Sequence, residues 1–242
     1  GKGTHKGVKD LQRFARKVSK NGTKNCFALK CDIKKYFASI DHKVLIELLS
    51  KRVKDEEYLD LLKKIVWSFP GDKNYGLPIG NLTSQFFANI YLNELDQFIK
   101  HTLKVKYYLR YTDDFIILSP QKNELRTLLP RIECFLKEKL LLELHPQKVR
   151  FVQFKNGIDF LGYVVFSHHI IPRTKTKKRI MMKIKKRVEE YQRREISYLS
   201  LKQTFQSYSG YLDHSNSYHL QQTLKKIFRS QESKESNLKN LL

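Results

Sequence analysis

Two adjacent carboxylates lie in a short polar break between two apolar runs. Asp113 and Asp114 end the tetrad Tyr-Thr-Asp-Asp, which residues 107–109 precede and residues 115–118 follow. This pattern predicts a β-hairpin with two carboxylates at its tip. Like charges at a tight turn repel, so the pair is costly to place unless cations bind it. Divalent cations there would make the site suitable for phosphoryl transfer. The tetrad alone is a short motif, and a solvated turn explains it as well.

A third carboxylate ends the first predicted strand. Apolar residues alternate over 26–32, which predicts a half-buried strand with Asp32 at its end. If this strand and the hairpin are neighbours, Asp32 and Asp113 face one pocket. Two carboxylates bridging two magnesium ions would orient a 3′-hydroxyl and neutralise the leaving pyrophosphate. We expect Asp114 to point the other way and support the site. The alternative for Asp32 is a strand-end carboxylate satisfied by backbone donors.

The elements that must position these carboxylates follow from periodicity and turn signals. Strands and helices together predict an α+β chain with helices packed on one sheet. Predicted helices cover about 8–18, 43–53, 56–68, 83–100 and 123–140, and predicted strands after the hairpin cover 141–145, 149–154 and 158–165. The last two strands flank Asn156-Gly157, a strong hairpin signal.

The net charge indicates the kind of partner. The chain has 47 Lys and Arg against 24 Asp and Glu, a formal net charge of +23. Few enzymes of small neutral metabolites carry such an excess, and a polyanionic partner explains it simply. Basic residues interleaved with Tyr and Phe suit nucleic acid better than a membrane surface. No apolar run is long enough for a membrane span. The odd cysteine count, three, fits a reduced, cytoplasmic protein.

A basic helical module is predicted after a boundary near residues 168–175. Nine of the fifteen residues from Arg173 to Arg187 are Lys or Arg, with no acid among them. Apolar residues at helical spacing follow from Arg179, a second helix is predicted over about 201–214, and the polar tail from Gln231 is expected to fray. A charge run is usually a solvated face, but here we expect phosphate contacts. The candidates are Arg173, Lys175, Lys177, Lys178, Arg179, Lys183 and Lys186.

Several segments, taken together, resemble the successive palm motifs of reverse transcriptases. They are residues 31–42 (Cys-Asp-Ile-Lys-Lys-Tyr-Phe-Ala-Ser-Ile-Asp-His), 76–85 (Gly-Leu-Pro-Ile-Gly-Asn-Leu-Thr-Ser-Gln) and the Tyr-Thr-Asp-Asp tetrad, followed by His145-Pro146-Gln147-Lys148 and 159–163 (Asp-Phe-Leu-Gly-Tyr). The stretch Ile-Gly-Asn-Leu-Thr-Ser-Gln is similar to the reverse transcriptases of diversity-generating retroelements. The opening Gly-Lys-Gly-Thr-His-Lys and the later Ser-Gly-Tyr-Leu-Asp-His also resemble that branch.

The resemblance implies an architecture. We expect a right-hand polymerase palm, an antiparallel sheet packed by helices, with a basic α-helical thumb. Residues 1–25 would be a remnant of the fingers, 26–171 the palm and 172–242 the thumb. Most of the fingers region that precedes the palm in this family would be missing, and with it much of the nucleotide clamp. The activity of the chain alone is therefore in question.

The resemblance also gives roles to the catalytic residues. Asp32, Ile33, Asp113 and Asp114 would form the site of two Mg²⁺ ions, with Mn²⁺ as a substitute. Lys148 corresponds to the lysine that protonates pyrophosphate as it leaves, which is general-acid work. The primer grip would be Phe160, Leu161 and Gly162, whose glycine lets the backbone approach the strand closely.

The nucleotide site is likewise implied by resemblance. It would contain Lys34, Lys35, Tyr36, Phe37, Ile79, Gly80 and Gln85. The two lysines would meet the triphosphate, although adjacent lysines are usually a solvated face. Phe37 would be an aromatic steric gate that leaves no room for a 2′-hydroxyl; its alternative is a core phenylalanine.

Ile79 leads to a hypothesis about fidelity. Many reverse transcriptases have a glutamine there, whose amide hydrogen-bonds near the nascent base pair, and isoleucine can neither donate nor accept. One hydrogen bond is worth only ~1 kcal/mol, or several-fold in discrimination. The hypothesis is an error-prone polymerase; the alternative is that Ile79 packs the turn.

The predicted function is an RNA-directed DNA polymerase that copies RNA into cDNA. The implied partners are template RNA, the RNA/DNA duplex, deoxynucleoside triphosphates and a small basic accessory protein, with no membrane partner. Two alternatives remain open: a catalytically impaired palm that binds RNA, and a group II intron-like or defence-associated reverse transcriptase.

Overall fold

The computed structural model describes residues 3–69 and 74–239. It divides into two compact units. The sheet unit is Arg13–Asn156, and the C-terminal unit combines Gly1–Gln12 with Gly157–Leu242. The subdivision into fingers remnant, palm and thumb at residues 25 and 171 stays a prediction. The part of the chain that the structure describes has no helix long and apolar enough to cross a membrane.

Helix α1 runs through both units, and the remaining elements of the sheet unit follow it in chain order. They are α1 (Thr4–Val18), β1 (Phe27–Asp32), α2 (Tyr36–Ser39), α3 (His42–Ser50), α4 (Glu56–Trp67), α5 (Leu82–Gln97), β2 (Tyr108–Tyr111), β3 (Asp114–Ser119), α6 (Lys122–Leu140) and β4 (Arg150–Gln153). A short π-helical turn, Phe98–Thr102, extends α5. The predicted helices are all present.

Polar side chains fix where three of these helices begin. The Asp41 carboxylate accepts the Val44 N–H at 2.9 Å, and the Asp55 carboxylate accepts the Tyr58 N–H at 2.8 Å. The Asn81 side chain accepts the Thr83 N–H at 3.1 Å at the start of α5. Each satisfies one amide that has no partner within its helix.

The four strands of the sheet unit form one antiparallel sheet in the order β2-β3-β1-β4. The predicted first strand and the predicted hairpin are confirmed. In the β1–β3 register, Asp32 lies opposite Asp114 and Cys31 opposite Phe115. Strand β3 is buried from Phe115 to Ser119, as expected for a strand with a neighbour on each side.

Two sequence predictions about β-structure between residues 141 and 157 are wrong. Residues 141–145 form no strand; only Leu144 makes an isolated bridge, to Ile33. The hairpin predicted at Asn156-Gly157 does not form, because β4 pairs with β1 and a 3₁₀ turn at Phe154–Asn156 follows it. Long-range pairing with β1 outweighs the local turn signal.

The core of the sheet unit lies between the sheet and helices α3, α5 and α6. Leu29 and Cys31 of β1 and Phe115 and Ile117 of β3 are buried in it. Tyr91 of α5 is fully buried, and its hydroxyl donates to the Leu140 carbonyl at 2.7 Å. This packing holds the carboxylate-bearing strands rigidly.

In its described residues, the C-terminal unit has the start of α1, a second antiparallel sheet in the order β5-β6-β7, and three further helices. These are β5 (Ile158–Phe160), β6 (Tyr163–Val165), β7 (Ile170–Pro172), α7 (Thr174–Gln192), α8 (Tyr198–Leu212) and α9 (Tyr218–Lys239). The segment predicted as one strand, 158–165, is therefore two strands. The tail predicted to fray from Gln231 is helical as far as Lys239, and Gln231 itself is buried.

Candidate active site

The sheet brings three carboxylates together at one end of its strands. Asp32 ends β1, Asp114 begins β3 directly opposite it, and Asp113 precedes Asp114 in the two-residue turn that joins β2 to β3. The Ile33 N–H donates to the Asp113 carbonyl at 3.3 Å, so the turn is tied to the end of β1. The structure thus places all four predicted metal-site residues together.

Two lysines meet these carboxylates. Lys148 Nζ lies 2.7 Å from Asp32 Oδ1, and Lys30 Nζ lies 3.7 Å from Asp114 Oδ1. The hydrogen bond to Asp32 raises the pKa of Lys148, and the charges of all three carboxylates add to the effect. Lys148 therefore stays protonated at neutral pH, in the state that a proton donor needs.

Burial and crowding also act on Asp114. Burial raises its pKa, Lys30 opposes that effect, and the negative charges of Asp32 and Asp113 raise the pKa further. Asp114 Oδ1 is buried and has no hydrogen-bond partner among the residues that the structure describes. Among the described residues, the three carboxylates thus have two lysine partners, Lys148 and Lys30, and their crowding disfavours the charged form of Asp114.

These residues fit a Mg²⁺ site in which the protein supplies only some of the ligands. Within residues 3–69 and 74–239, no group of three or more His, Cys, Asp or Glu side chains forms a metal cage. Mg²⁺ is usually bound through one or two carboxylates, with waters and substrate phosphates as its other ligands. Asp32 and Asp113 supply such hard oxygen donors, and the buried Asp114 Oδ1, which accepts no hydrogen bond from the described residues, is a further one.

A cavity of about 300 Å³ lies beside the hairpin. Its walls come from α2, the segment before α5, the first half of α5 and the β2–β3 hairpin. Five of the seven predicted nucleotide-site residues are among those that line it, and the lining set is Tyr36, Phe37, Ile79, Gly80, Gln85, Ala88, Asn89, Arg110, Tyr111 and Thr112.

Lys34 and Lys35 do not line this cavity. Both are exposed, and Lys34 Nζ pairs with Glu143 Oε2 at 3.0 Å. Lys35 has a positive φ of 47° at the start of α2. Their contact with a triphosphate stays a prediction.

The aromatic and apolar residues of the cavity differ in packing. Tyr36 is buried and its hydroxyl donates to the Ala88 carbonyl, so it forms a fixed wall. Phe37 is half-buried and packs edge-on against Tyr36 at 5.5 Å between ring centroids. Ile79 is 87% exposed. An isoleucine that packed the turn would be buried, so this exposure disfavours the packing alternative.

The predicted primer grip belongs to the C-terminal unit. Leu161 and Gly162, with φ of 51° and 87°, form the two-residue turn between β5 and β6. The Gly162 carbonyl accepts the Arg173 N–H at 2.9 Å and the Tyr211 hydroxyl at 3.2 Å. A Cβ at Gly162 would lie 3.1 Å from Tyr211 Oη. The turn itself therefore requires this glycine.

The predicted phosphate contacts lie on α7 and at its start. Arg173 and Lys177 are half-buried, and Arg173 pairs with Asp159. The other five form an exposed basic face, which we call the α7 face: Lys175, Lys178, Arg179, Lys183 and Lys186. Ile180 and Ile184 on the opposite side are buried against α8 and α9.

Sequence reasoning missed a polar network under the hairpin. Arg110 in β2 forms a two-pronged ion pair with Asp96 of α5, and Tyr108 donates to the same carboxylate at 2.7 Å. Two polar side chains two positions apart in a strand share a face, and this alternation was the available signal.

Comparison with known proteins decides the family. The family described as "Reverse transcriptase (RNA-dependent DNA polymerase)" matches residues 1–165. The chain belongs to the reverse transcriptase family. The resemblance seen in the palm motifs is thereby confirmed at family level.

Individual relatives of this chain include intron-encoded and retron proteins. Group II intron-encoded protein LtrA of Lactococcus lactis is 26% identical, over 54% of this chain and 33% of LtrA. The retron Ec73 reverse transcriptase of Escherichia coli is 31% identical, over 55% of this chain and 44% of its own length. The chain thus spans less than half the length of either relative.

Solved structures support the fold. Telomerase from Candida tropicalis in complex with a fragment of telomeric RNA aligns with a TM-score of 0.56 at 10% identity, covering 96% of this chain and 43% of the telomerase. A truncated apo telomerase of the same species gives 0.53 at 14% identity, covering 71% and 40%. The predicted α+β fold with a palm-like antiparallel sheet is confirmed.

Proposed function

We propose that this chain is the palm and thumb of an RNA-directed DNA polymerase that copies template RNA into cDNA by two-metal phosphoryl transfer. The observation that carries the proposal is the register of β1 against β3. It sets Asp32 opposite Asp114, with Asp113 in the adjoining turn, beside a cavity lined by five predicted nucleotide-site residues. Family membership gives this geometry its reaction class.

In this proposal the carboxylates hold and orient the reactants. Asp32 and Asp113, with the Ile33 backbone beside them, would hold Mg²⁺, for which Mn²⁺ could substitute. When bound, the metal would supply positive charge that activates the primer 3′-hydroxyl and stabilises the leaving pyrophosphate. Asp114, opposite Asp32 in the sheet, supports the site. Lys148, protonated and bonded to Asp32, lies at the site to donate a proton to pyrophosphate.

The cavity selects the deoxynucleoside triphosphate. Phe37 presents a half-buried ring that excludes a 2′-hydroxyl, and Gln85 and Gly80 line the same space. Ile79 offers no hydrogen bond to the nascent pair, which relaxes fidelity. The exposure of the Ile79 side chain supports contact with a ligand.

We propose that basic residues bind nucleic acid through its phosphates. The net charge of +23 and the exposed α7 face suit the phosphates of an RNA/DNA duplex. Residues 1–25 would then be a fingers remnant, 26–171 the palm and 172–242 the thumb, with Phe160, Leu161 and Gly162 gripping the primer. A small basic accessory protein and a cytoplasmic location complete the proposal.

The branch of the family admits two candidates. The stretch Ile79–Gln85 favours the diversity-generating retroelement type, in which synthesis is mutagenic. The names of the relatives favour a group II intron or retron type. Error frequency distinguishes them, because the resemblance to the first branch implies mutagenic copying.

The test is single-nucleotide addition to a primer on a defined RNA template with Mg²⁺. Loss of one metal-binding carboxylate removes several kcal/mol of transition-state stabilisation, so we expect Asp113→Asn to slow addition at least about 100-fold. The matched control is Asp60→Asn, at an exposed aspartate of α4 that pairs with Lys63. Equal rates for Asp113→Asn and the control would contradict the proposal.

A further inference from the structure

The tip of the β2–β3 hairpin has a strained backbone. Thr112 has a φ of 53°, in the left-handed region that a β-branched residue rarely adopts. Such a conformation persists only where surrounding contacts fix it. Thr112 directly precedes Asp113, so whatever fixes Thr112 also fixes the start of the carboxylate pair.

The side chain of Arg110 contacts this strained residue. Arg110 Nη1 donates to the Thr112 carbonyl at 3.0 Å. The other side of the guanidinium is bound to α5, with Nε 2.8 Å from Asp96 Oδ1 and Nη2 2.6 Å from Asp96 Oδ2. The two-pronged geometry fixes the plane of the guanidinium, which a lysine ammonium cannot reproduce.

The network is enclosed and charged. The side chains of Arg110 and Asp96 are only 10% and 19% exposed. Burial acts to lower the pKa of Arg110, but the Asp96 carboxylate outweighs it and the pKa is raised. The guanidinium is therefore a permanent charge, and the ion pair is screened little by solvent.

The contacts continue from Thr112 to the carboxylate. The Thr112 hydroxyl lies 2.8 Å from Asp113 Oδ1 and 2.7 Å from the Tyr111 carbonyl. A path of direct contacts thus runs from α5 through Asp96, Arg110 and Thr112 to Asp113. All of these residues belong to the sheet unit.

We propose that Arg110 is a positioning residue that, braced by Asp96, holds the strained Thr112 turn so that Asp113 is set for divalent metal binding. This inference rests on the proposed function. It gives a role to Arg110 and Asp96, which are not among the three carboxylates of the candidate metal site. Removing the brace lets the turn relax, which weakens metal binding at Asp113.

The test measures metal binding directly. Mn²⁺ is titrated into the whole chain and free Mn²⁺ is followed by electron paramagnetic resonance, with thermal unfolding recorded in parallel. We expect Arg110→Lys to raise the Mn²⁺ dissociation constant at least about five-fold, since the charge stays but the fork is lost. The matched control is Tyr108→Phe, which removes a different hydrogen bond to Asp96 and should change Mn²⁺ binding less than two-fold.

A second variant, Asp96→Asn, tests the proposal if the first variant does not fold. If Arg110→Lys does not fold, Asp96→Asn keeps a hydrogen-bonding side chain of the same shape and should weaken Mn²⁺ binding in the same way. A folded variant that lowers the unfolding temperature but binds Mn²⁺ as the wild type does would overturn the proposal, because the network would then be structural only. Absence of Mn²⁺ binding by the wild type would overturn it as well.

The two proposals can fail separately. Nucleotide addition is measured on the same variants over a range of Mn²⁺ concentrations. Mn²⁺ binding that depends on Arg110 without any nucleotide addition would support the positioning role and contradict the polymerase. Nucleotide addition with equal metal dependence in wild type and Arg110→Lys would support the polymerase and contradict the positioning role.

Discussion

The packing of each cavity residue indicates whether it acts on stability or on ligand binding. Tyr36 is a buried wall with a fixed hydrogen bond, while Phe37 is half-buried and Ile79 almost fully exposed. A change at Tyr36 would therefore act mainly on stability. Changes at Phe37 and Ile79 leave the core intact and report on what enters the cavity.

Phe37→Val should admit ribonucleotides. The smaller side chain leaves room for a 2′-hydroxyl, so we expect the preference for deoxynucleotides to fall about ten-fold or more in kcat/KM. The measurement is competitive addition of matched ribo- and deoxynucleoside triphosphates. Phe98→Val is the control, since Phe98 stacks on Phe135 and is not among the residues that line the cavity. An unchanged preference in Phe37→Val would contradict the steric role.

Ile79→Gln should raise fidelity. A glutamine amide adds a directional hydrogen bond worth ~1 kcal/mol, so misincorporation should fall several-fold. Sequencing of cDNA made from a defined RNA gives the error frequency. Leu82→Gln, at an equally exposed residue outside the cavity-lining set, is the matched control. Equal error frequencies in wild type and Ile79→Gln would sink the fidelity hypothesis.

Among the elements, the start of α1 contacts β6 and the turn after α8 through a cluster of rings in the C-terminal unit. The His5 ring lies 3.6 Å from that of His214 and 6.1 Å from that of Tyr163, between centroids. Burial lowers the pKa of His5, and the charges of His214 and Lys9 lower it further. The folded state therefore favours neutral His5.

The stability of this unit should depend on pH through His5. In the unfolded chain the pKa is about 6.5, above the folded value, so the unfolded chain binds more protons between the two. Stability should be full above about pH 6.5 and fall as the pH drops toward the folded pKa. The unfolding temperature measured from pH 7.5 to 5 should fall less in His5→Asn than in the wild type. His168→Asn, at an exposed histidine of the same unit, should behave as wild type.

Local patterns predicted the elements that carry the carboxylates. Alternation at 26–32 and the polar break at residues 111–114 gave β1 and the β2–β3 hairpin, because neighbouring residues form these signals. The pairing of β4 with β1 joins distant segments, so the Asn156-Gly157 turn signal misled. For the same reason the ion pairs of Lys148 with Asp32 and of Arg110 with Asp96 could not be derived from spacing.

At the scale of the whole molecule, the excess of positive charge should control nucleic-acid binding. Each lysine that contacts a phosphate releases a counterion, so its loss lowers affinity and also reduces the salt dependence. A lysine that only raises the net charge has a weaker effect on the slope. Matched sets of lysines can therefore separate contact from bulk charge.

Replacing three lysines of the α7 face should reduce the salt dependence of RNA/DNA duplex binding. For Lys175, Lys178 and Lys183→Gln we expect the slope of log K against log salt to fall by about 2–3, measured by fluorescence anisotropy. The control replaces three exposed lysines of the sheet unit, Lys43, Lys54 and Lys64, by Gln. Equal slopes in the two triple variants would show that the α7 face does not contact phosphates.

The most direct test of the central claim is whether the base in an RNA template decides which deoxynucleotide is added. Four primed RNAs that differ only in the templating base are offered each deoxynucleoside triphosphate with Mg²⁺. We expect the complementary nucleotide to be preferred on every template, and addition to be lost in Asp32→Asn and Asp113→Asn. Addition that ignores the templating base, or that persists in both variants, would contradict an RNA-directed polymerase built on these carboxylates.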